Sequence, residues 1–276
     1  MSQSHKIQGG NSVMMRLSLA CEMAKRDVFA RYKGSVVGLA WSFFYPVLML
    51  AVYTFVFGVI FRSRWSGTQS TQNGEGLTGE FALILFSGLV VYGFFSECLN
   101  KAPGLISANA QFVKKVVFPL EVLPLSTALA ALFHMLVSLV VLLIAMLILK
   151  GNIPVTAVAF PLVMLPLLFA TLGLTWLFCA LGVYLRDLSQ IMPLATTMLL
   201  FLSPVFYPIT AVPESFQRVV KLNPITGVMD GVRDTLIFGI WPDFGLLFWQ
   251  VLPGLLLMFV GLAVFQYLRR GFADVL

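Results

Sequence analysis

The chain has 276 residues, 59% of them hydrophobic, with 25 phenylalanines and a mean hydropathy of +0.93. A water-soluble domain of this length does not carry so much apolar surface. Apolar runs of about 20 residues, the length that crosses a bilayer core, mark an integral membrane protein, and the lack of strict two-residue alternation excludes a β-barrel and leaves helices.

In chain order, the first 36 residues hold six Lys/Arg and no leading apolar core, so no cleavable signal peptide is expected and the first span inserts uncleaved. Within them, residues 14–32 set Met14, Leu17, Cys21, Ala24 and Val28 along one helical stripe. Glu22 with Arg26, and Asp27 with Arg31, stand as i,i+4 pairs of favoured polarity. The pattern predicts an amphipathic helix on the membrane surface. Packing of this helix on the same chain is the weaker alternative, because so little soluble chain is there to receive it. "GSVVG", Gly34 to Gly38, has the small-xxx-small form of a close helix contact.

Six spans follow, at about 37–61, 81–99, 124–149, 155–183, 190–212 and 246–268. Residues 1–36 thus form a tail with an interface helix, and 37–276 one transmembrane domain. With the N-terminus inside, the inner segments hold 12 Lys/Arg and the outer ones 6, so both termini are expected in the cytoplasm. The longest inner connection contains "QFVKKVVFPLEVLP". It predicts a helix of about two turns before Pro119, with Phe112, Val113, Val116 and Val117 on its apolar face and Lys114 and Lys115 on its basic one. On the residues alone it is either an interfacial helix whose lysines meet anionic headgroups or a knob that docks into a cytosolic partner. In the fifth span, "LLFLSPVFYPI", Pro204 and Pro208 break the helix near its outer end, as a kink or a re-entrant turn. Beyond it, residues 213–245 read as two short amphipathic helices. Asn223 caps the second, Pro224 opens it, and Ile225, Met229, Val232 and Leu236 form its apolar stripe, with Asp230, Arg233 and Asp234 largely off it.

His134, near the middle of span three, and Glu97, near the inner end of span two, are rare polar groups inside spans. The three cysteines, Cys21, Cys98 and Cys179, lack metal-type spacing and are expected as buried packing. A phosphate-binding GxxxxGK[ST] loop and an HExxH pair are both missing from the sequence. The acids are scattered rather than gathered at one face. The chain reads as a pathway and not a catalyst, with no metal site.

"RYKGSVVGLAWSFFYPVLMLAVYTFVFGVIF", "QFVKKVVFPLEVLP", "FLSPVFYP" and "LNPITGVMDGVRD", in this order and among six spans, resemble the permease subunit of ABC-2-type polysaccharide exporters, the O-antigen, capsule and teichoic-acid exporters. The resemblance covers about residues 30–270. It implies an all-α membrane fold with a coupling helix and two outer gate helices. It implies a homodimer working with two copies of a cytosolic ATPase, which binds the ATP and Mg²⁺, so that this chain needs no cofactor and no nucleic acid. The cargo it implies is a polysaccharide on a polyprenyl diphosphate lipid, crossing the bacterial inner membrane between the two copies.

The same resemblance assigns segments. Gln111, Phe112, Val113, Lys114, Lys115, Phe118 and Pro119 belong to the ATPase-docking coupling helix. Pro204, Pro208, Pro213, Asn223, Pro224 and Arg233 belong to the outer gate. By depth and charge, Arg26, Arg31, Tyr32 and Lys33 suit the diphosphate. Trp41, Phe43, Phe44, Tyr45, Tyr53, Phe201, Phe206 and Tyr207 offer flat faces to sliding sugar rings, and lipid anchoring or plain packing is the alternative for each. Trp41 and Tyr45 share a helix face at i,i+4. The rival functions are an ABC-2 exporter of drugs or small lipids, a membrane-embedded transferase using lipid-linked sugar, and an ATP-independent channel.

Overall fold

The computed structural model of the chain describes residues 4–60, 77–113 and 118–276, which are helical with no strand among them. Helix α1 is Ser4–Tyr32. Helix α2 is Trp41–Tyr53, entered by a 3₁₀ turn at Gly38–Ala40 and prolonged by a π-helical stretch, Thr54–Ile60. Then come α3, Leu77–Lys101, two single turns, α4 at Leu105–Ala108 and α5 at Ala110–Val113, and α6, Val122–Lys150. A 3₁₀ turn, Val155–Ala159, opens α7, Phe160–Tyr184. Helices α8, Leu188–Leu202, α9, Glu214–Leu222, and α10, Pro224–Arg233, lead to a π turn at Asp234–Phe238. The chain closes with α11, Phe244–Leu268, and α12, Phe272–Val275.

Five stretches of the described residues are long and apolar enough to cross a membrane: Gly38–Phe57, Gly79–Lys101, Val122–Lys150, Val155–Tyr184 and Phe244–Val275. They match five of the six expected spans to within a few residues, save the first, whose end at residue 61 lies outside the described residues, and the last, which runs seven residues past 268 although α11 itself ends at Leu268. The fifth expected span, 190–212, is helix only to Leu202. At 15 residues it is about 22 Å long, short of the ~30 Å hydrocarbon core. The cause is local: Ser203 turns extended with ψ of 149°, and Pro204 and Pro208 each remove a backbone donor. The break is a sharp turn and not a kink in a continuing helix.

Helix α3 is the axis of the bundle. Its spanning window is 78% buried, against 6% for the window that contains α2, which lies at the periphery. Around α3 stand α6, α7, α8 and α10. Helices α7 and α11 run side by side in the same direction, and glycines set how close they come. A methyl group on Gly261 would collide with the carbonyl of Gly173, and one on Gly254 with the carbonyl of Pro166. Backbone thus meets backbone along the pair, the contact that small residues allow in membranes.

Helix α1 packs on the chain itself. Ala20, Met23, Ala24 and Val28 are buried, the last two against Ala130 of α6, whereas Met14, Leu17 and Cys21 of the expected stripe are exposed. Its receiver is the first part of α6. His134 lies level with Glu97, so α6 overshoots the end of α3 by about 12 Å. That overshoot offers an apolar surface which the composition of the run counts as membrane span. Gly34 and Gly38 have φ of 89° and 57° and nothing within 4 Å of a methyl group placed on either. They make the turn between α1 and α2 and not a helix contact. Of the cysteines, Cys98 and Cys179 are buried as expected.

Candidate functional site

Polar side chains gather at the two ends of the bundle. The proximal end carries α1 and the last residues of the chain; the distal end carries α9 and α10.

At the proximal end two glutamates each serve as a hub. Glu97, in the last turn but one of α3, accepts from Arg31 Nη1 at 2.8 Å and from Lys101 Nζ at 2.8 Å. The Nδ1 of His134 lies 3.0 Å from its second oxygen. Arg31 Nη1 lies 3.2 Å from the same nitrogen, and because the carboxylate is closer the proton is assigned to Nδ1, which donates it to Glu97. His134 Nε2 is buried without a hydrogen-bond partner among the described residues. The rings of Tyr32 and Phe133 stand edge-on to the imidazole at 6.3 and 5.7 Å. Arg31 therefore bridges α1 to α3 and does not pair with Asp27. Arg26 takes Asp27 instead, at 3.7 Å on the surface, and Lys33 is exposed in the turn that follows.

The second hub is Glu121, just before α6. Its oxygens hold Arg16 of α1 at 3.0 Å and Arg269, at the end of α11, at 2.9 Å, while its backbone carbonyl accepts from Trp176 Nε1 of α7 at 3.1 Å. One residue thus ties four helices beside the expected coupling segment. In that segment Phe112 and Phe118 stack at 4.5 Å and 17°, and both rest on a core of Ile106, Leu120, Trp176, Cys179 and Phe265. Gln111 is exposed; Phe112, Val113, Phe118 and Pro119 are half-buried. Lys114, Lys115, Val116 and Val117 lie outside the described residues. Among the described residues the expected two-turn helix is a pair of single turns parted at Asn109, whose Nδ2 donates to the Leu105 carbonyl at 2.9 Å and so competes with continued helix.

At the distal end side chains serve backbone carbonyls. Tyr207 folds back, its hydroxyl within 3.1 and 3.2 Å of the Phe201 and Leu202 carbonyls that the broken helix releases. Asn223 caps α10 by accepting from Ile225 N at 3.1 Å, and its amide donates to Ser203 Oγ at 2.8 Å. Arg233 is buried, 2% exposed, and not off the stripe as the helical pattern predicts. Its Nη2 donates to the Val205 carbonyl at 3.0 Å, Nε points at Ile84 of α3 at 3.5 Å, and Nη1 stands 3.6 Å from Asp230. Burial pulls its pKa down to about 10, with Asp230 pulling the other way, so it stays cationic at neutral pH. Pro204 is buried in the elbow that Arg233 holds, Pro208 follows it, and Pro213 and Pro224 each begin a helix. Ile225, Met229, Val232 and Leu236 are buried as the stripe requires.

The expected channel aromatics divide. Trp41, Phe43, Phe44 and Tyr45 stand exposed on α2, and the ring contact there is Trp41 with Phe44, at 6.4 Å, and not Trp41 with Tyr45. Farther along, Tyr53, Phe57, Phe206 and Phe201 form a relay of rings at 6.5, 6.2 and 5.7 Å, joining the π stretch after α2 to the elbow after α8. Phe57, absent from the sequence-based set, is the link between its two halves.

The profile of the family described as "ABC-2 type transporter" matches residues 19–237. The chain belongs to the ABC-2 type transporter family. Within it, this ABC-2 chain is 27% identical to the O-antigen export system permease protein RfbA of Klebsiella pneumoniae, over 92% of its own length and 93% of the relative's. It is 29% identical to the protein of the same name from Myxococcus xanthus, over 93% and 94%. The polysialic acid transport protein KpsM of Escherichia coli is 21% identical over 87% and 90%. Glu97 and Glu121, the elbow and α10 fall inside the span that matches the ABC-2 family, whereas Arg16 and Arg269 flank it, and the chain is a multi-pass membrane protein of that family.

Proposed function

We propose that this chain is the permease of an ATP-driven exporter that moves a polysaccharide, carried on polyprenyl diphosphate, across the bacterial inner membrane. The observation that carries the proposal is similarity along more than nine-tenths of the chain to permeases named for O-antigen export. Two copies form the channel, and two cytosolic ATPase subunits supply the energy, binding ATP and Mg²⁺ themselves. Both termini face the cytoplasm, so the proximal end is the ATPase side. Helix α8 and the elbow after it complete the fifth of the six spans, and α9 and α10 form the outer gate.

The proximal chemistry supports this reading. Gln111 to Pro119 forms the docking segment, with Phe112 stacked on Phe118 as a rigid base that rests on its own bundle. Glu121 then passes any push on that segment to α1, α7 and α11. Arg31 and its neighbours Arg26, Tyr32 and Lys33 attract the diphosphate, and the Tyr53–Phe57–Phe206–Phe201 relay continues the sliding surface begun by Trp41, Phe44 and Tyr45. The test is complementation of a cell lacking the permease. The chain is expected to restore surface glycan, and Arg31→Ala with Lys33→Ala to leave lipid-linked glycan inside. Normal surface glycan in that double variant sinks the diphosphate role, and drug efflux without glycan export sinks the substrate class.

A further inference from the structure

The charges around Glu97 do not balance. Two permanent cations, Arg31 and Lys101, converge on one carboxylate, with a proton-donating His134 beside them. Among the described residues, the other ionisable groups facing this cluster are the Tyr32 phenol of α1 and the buried Cys98 thiol of α3. Neither brings a negative charge at neutral pH. The site holds more positive charge than its own anion can match.

The exposure is graded in the same sense. Glu97 is 17% exposed and His134 14%, but Arg31 is 52% and Lys101 44% exposed. The cations therefore straddle a carboxylate beneath them and an accessible face above. Both side chains are long enough to turn from one to the other by rotation alone. Arg31 offers a planar fork and Lys101 a point charge, the pair of shapes that grips a diphosphate. A diphosphate carries more charge and more acceptor oxygens than a carboxylate, so it competes well for both.

We propose that Glu97 is an internal counter-anion which the diphosphate head of the substrate displaces from Arg31 and Lys101, leaving Glu97 on His134. The proposal rests on the reading of Arg31 as a diphosphate ligand. It adds that binding is an exchange of anions, and that the exchange breaks the tie between α1 and α3. Occupancy of the site is thereby reported to α1.

The test uses the whole chain in phosphatidylcholine nanodiscs, with geranylgeranyl diphosphate as the probe and geranylgeranyl monophosphate as control. Glu97→Gln removes the competitor and is expected to bind the diphosphate about tenfold tighter than the native chain. Arg31→Met with Lys101→Met is expected to lose at least tenfold. Hydrogen exchange of the last turn of α1 is expected to rise when the native chain binds, and to be high in Glu97→Gln beforehand. A purely structural ion pair gives no gain: Glu97→Gln binds equally or more weakly, and that result overturns the proposal. If neither chain prefers diphosphate to monophosphate, the diphosphate reading itself falls as well. Nanodiscs with phosphatidylglycerol separate the sources: abolition of the gain by this lipid makes a bilayer headgroup the occupant and overturns the substrate role. Should Glu97→Gln not fold, Glu97→Asp keeps the charge but shortens its reach, and about a threefold gain is expected; no gain counts against the proposal.

Discussion

The two ends of the bundle use polar side chains in opposite ways. At the distal end most donors reach backbone carbonyls: Arg233 on Val205, Tyr207 on Phe201 and Leu202, Thr156 on Thr235 at 2.6 Å, Lys150 on Ile237 at 3.2 Å, with Lys150 also paired to Glu80 at 2.7 Å and Arg233 to Asp230 at 3.6 Å. Each donor repairs a place where proline or a π turn interrupts the helix ladder, as buried backbone must be repaired away from water. At the proximal end the partners are carboxylates shared among cations from different helices. A carbonyl held in this way has one geometry. A carboxylate with several half-exposed cations has many of similar energy. The distal end is built to hold its shape, and the proximal end to exchange partners.

Substitutions sharpen that contrast. The largest expected effect is Arg233→Met, which strips the donor from a buried carbonyl and costs about 2–3 kcal/mol, read as a fall in melting temperature in detergent. Arg233→Lys recovers only part of it, because an ammonium cannot reach Val205 and Ile84 together. Next is Glu121→Gln, expected to cost about 1–2 kcal/mol by loosening two arginines, and to lower export at unchanged ATPase activity. Smallest is Arg269→Ala, about 0.5 kcal/mol, since its side chain is 44% exposed. Salt separates the ends: raising it to about 1 M, where the screening length is about 3 Å, shrinks the Glu121→Gln difference and leaves Arg233→Met unchanged. If both deficits respond alike, the contrast is wrong.

The spans were legible because apolar length is a one-dimensional property, and so were Asn223 before Pro224 and the stripe from Ile225 to Leu236. Three things were not. The depth of His134 depends on how far α6 slides past α3, which no single run records; only the i,i+4 pair of Glu97 with Lys101 hinted that Glu97 belongs to a charged site. Arg233 sits at the edge of the apolar stripe, where helical projection alone leaves its direction open. It is buried because the elbow at Val205, distant in sequence, needs a donor. The seat of α1 is hidden in the sequence for the same reason as the depth of His134, since the surface that receives it belongs to an apolar run of membrane-spanning length.

The glycine contacts between α7 and α11 have a mechanical consequence. Where carbonyl oxygens meet glycine backbone with no side chain between, two helices cannot slide or roll without collision, so α7 and α11 behave as one stiff beam. Glu121 clips one end of the beam to α1, and α10 leans on α7 toward the other. In the proposed exporter, motion that opens a passage falls to the part fastened least, the peripheral α2. The beam is the fixed post, and α2 is the leaf that swings.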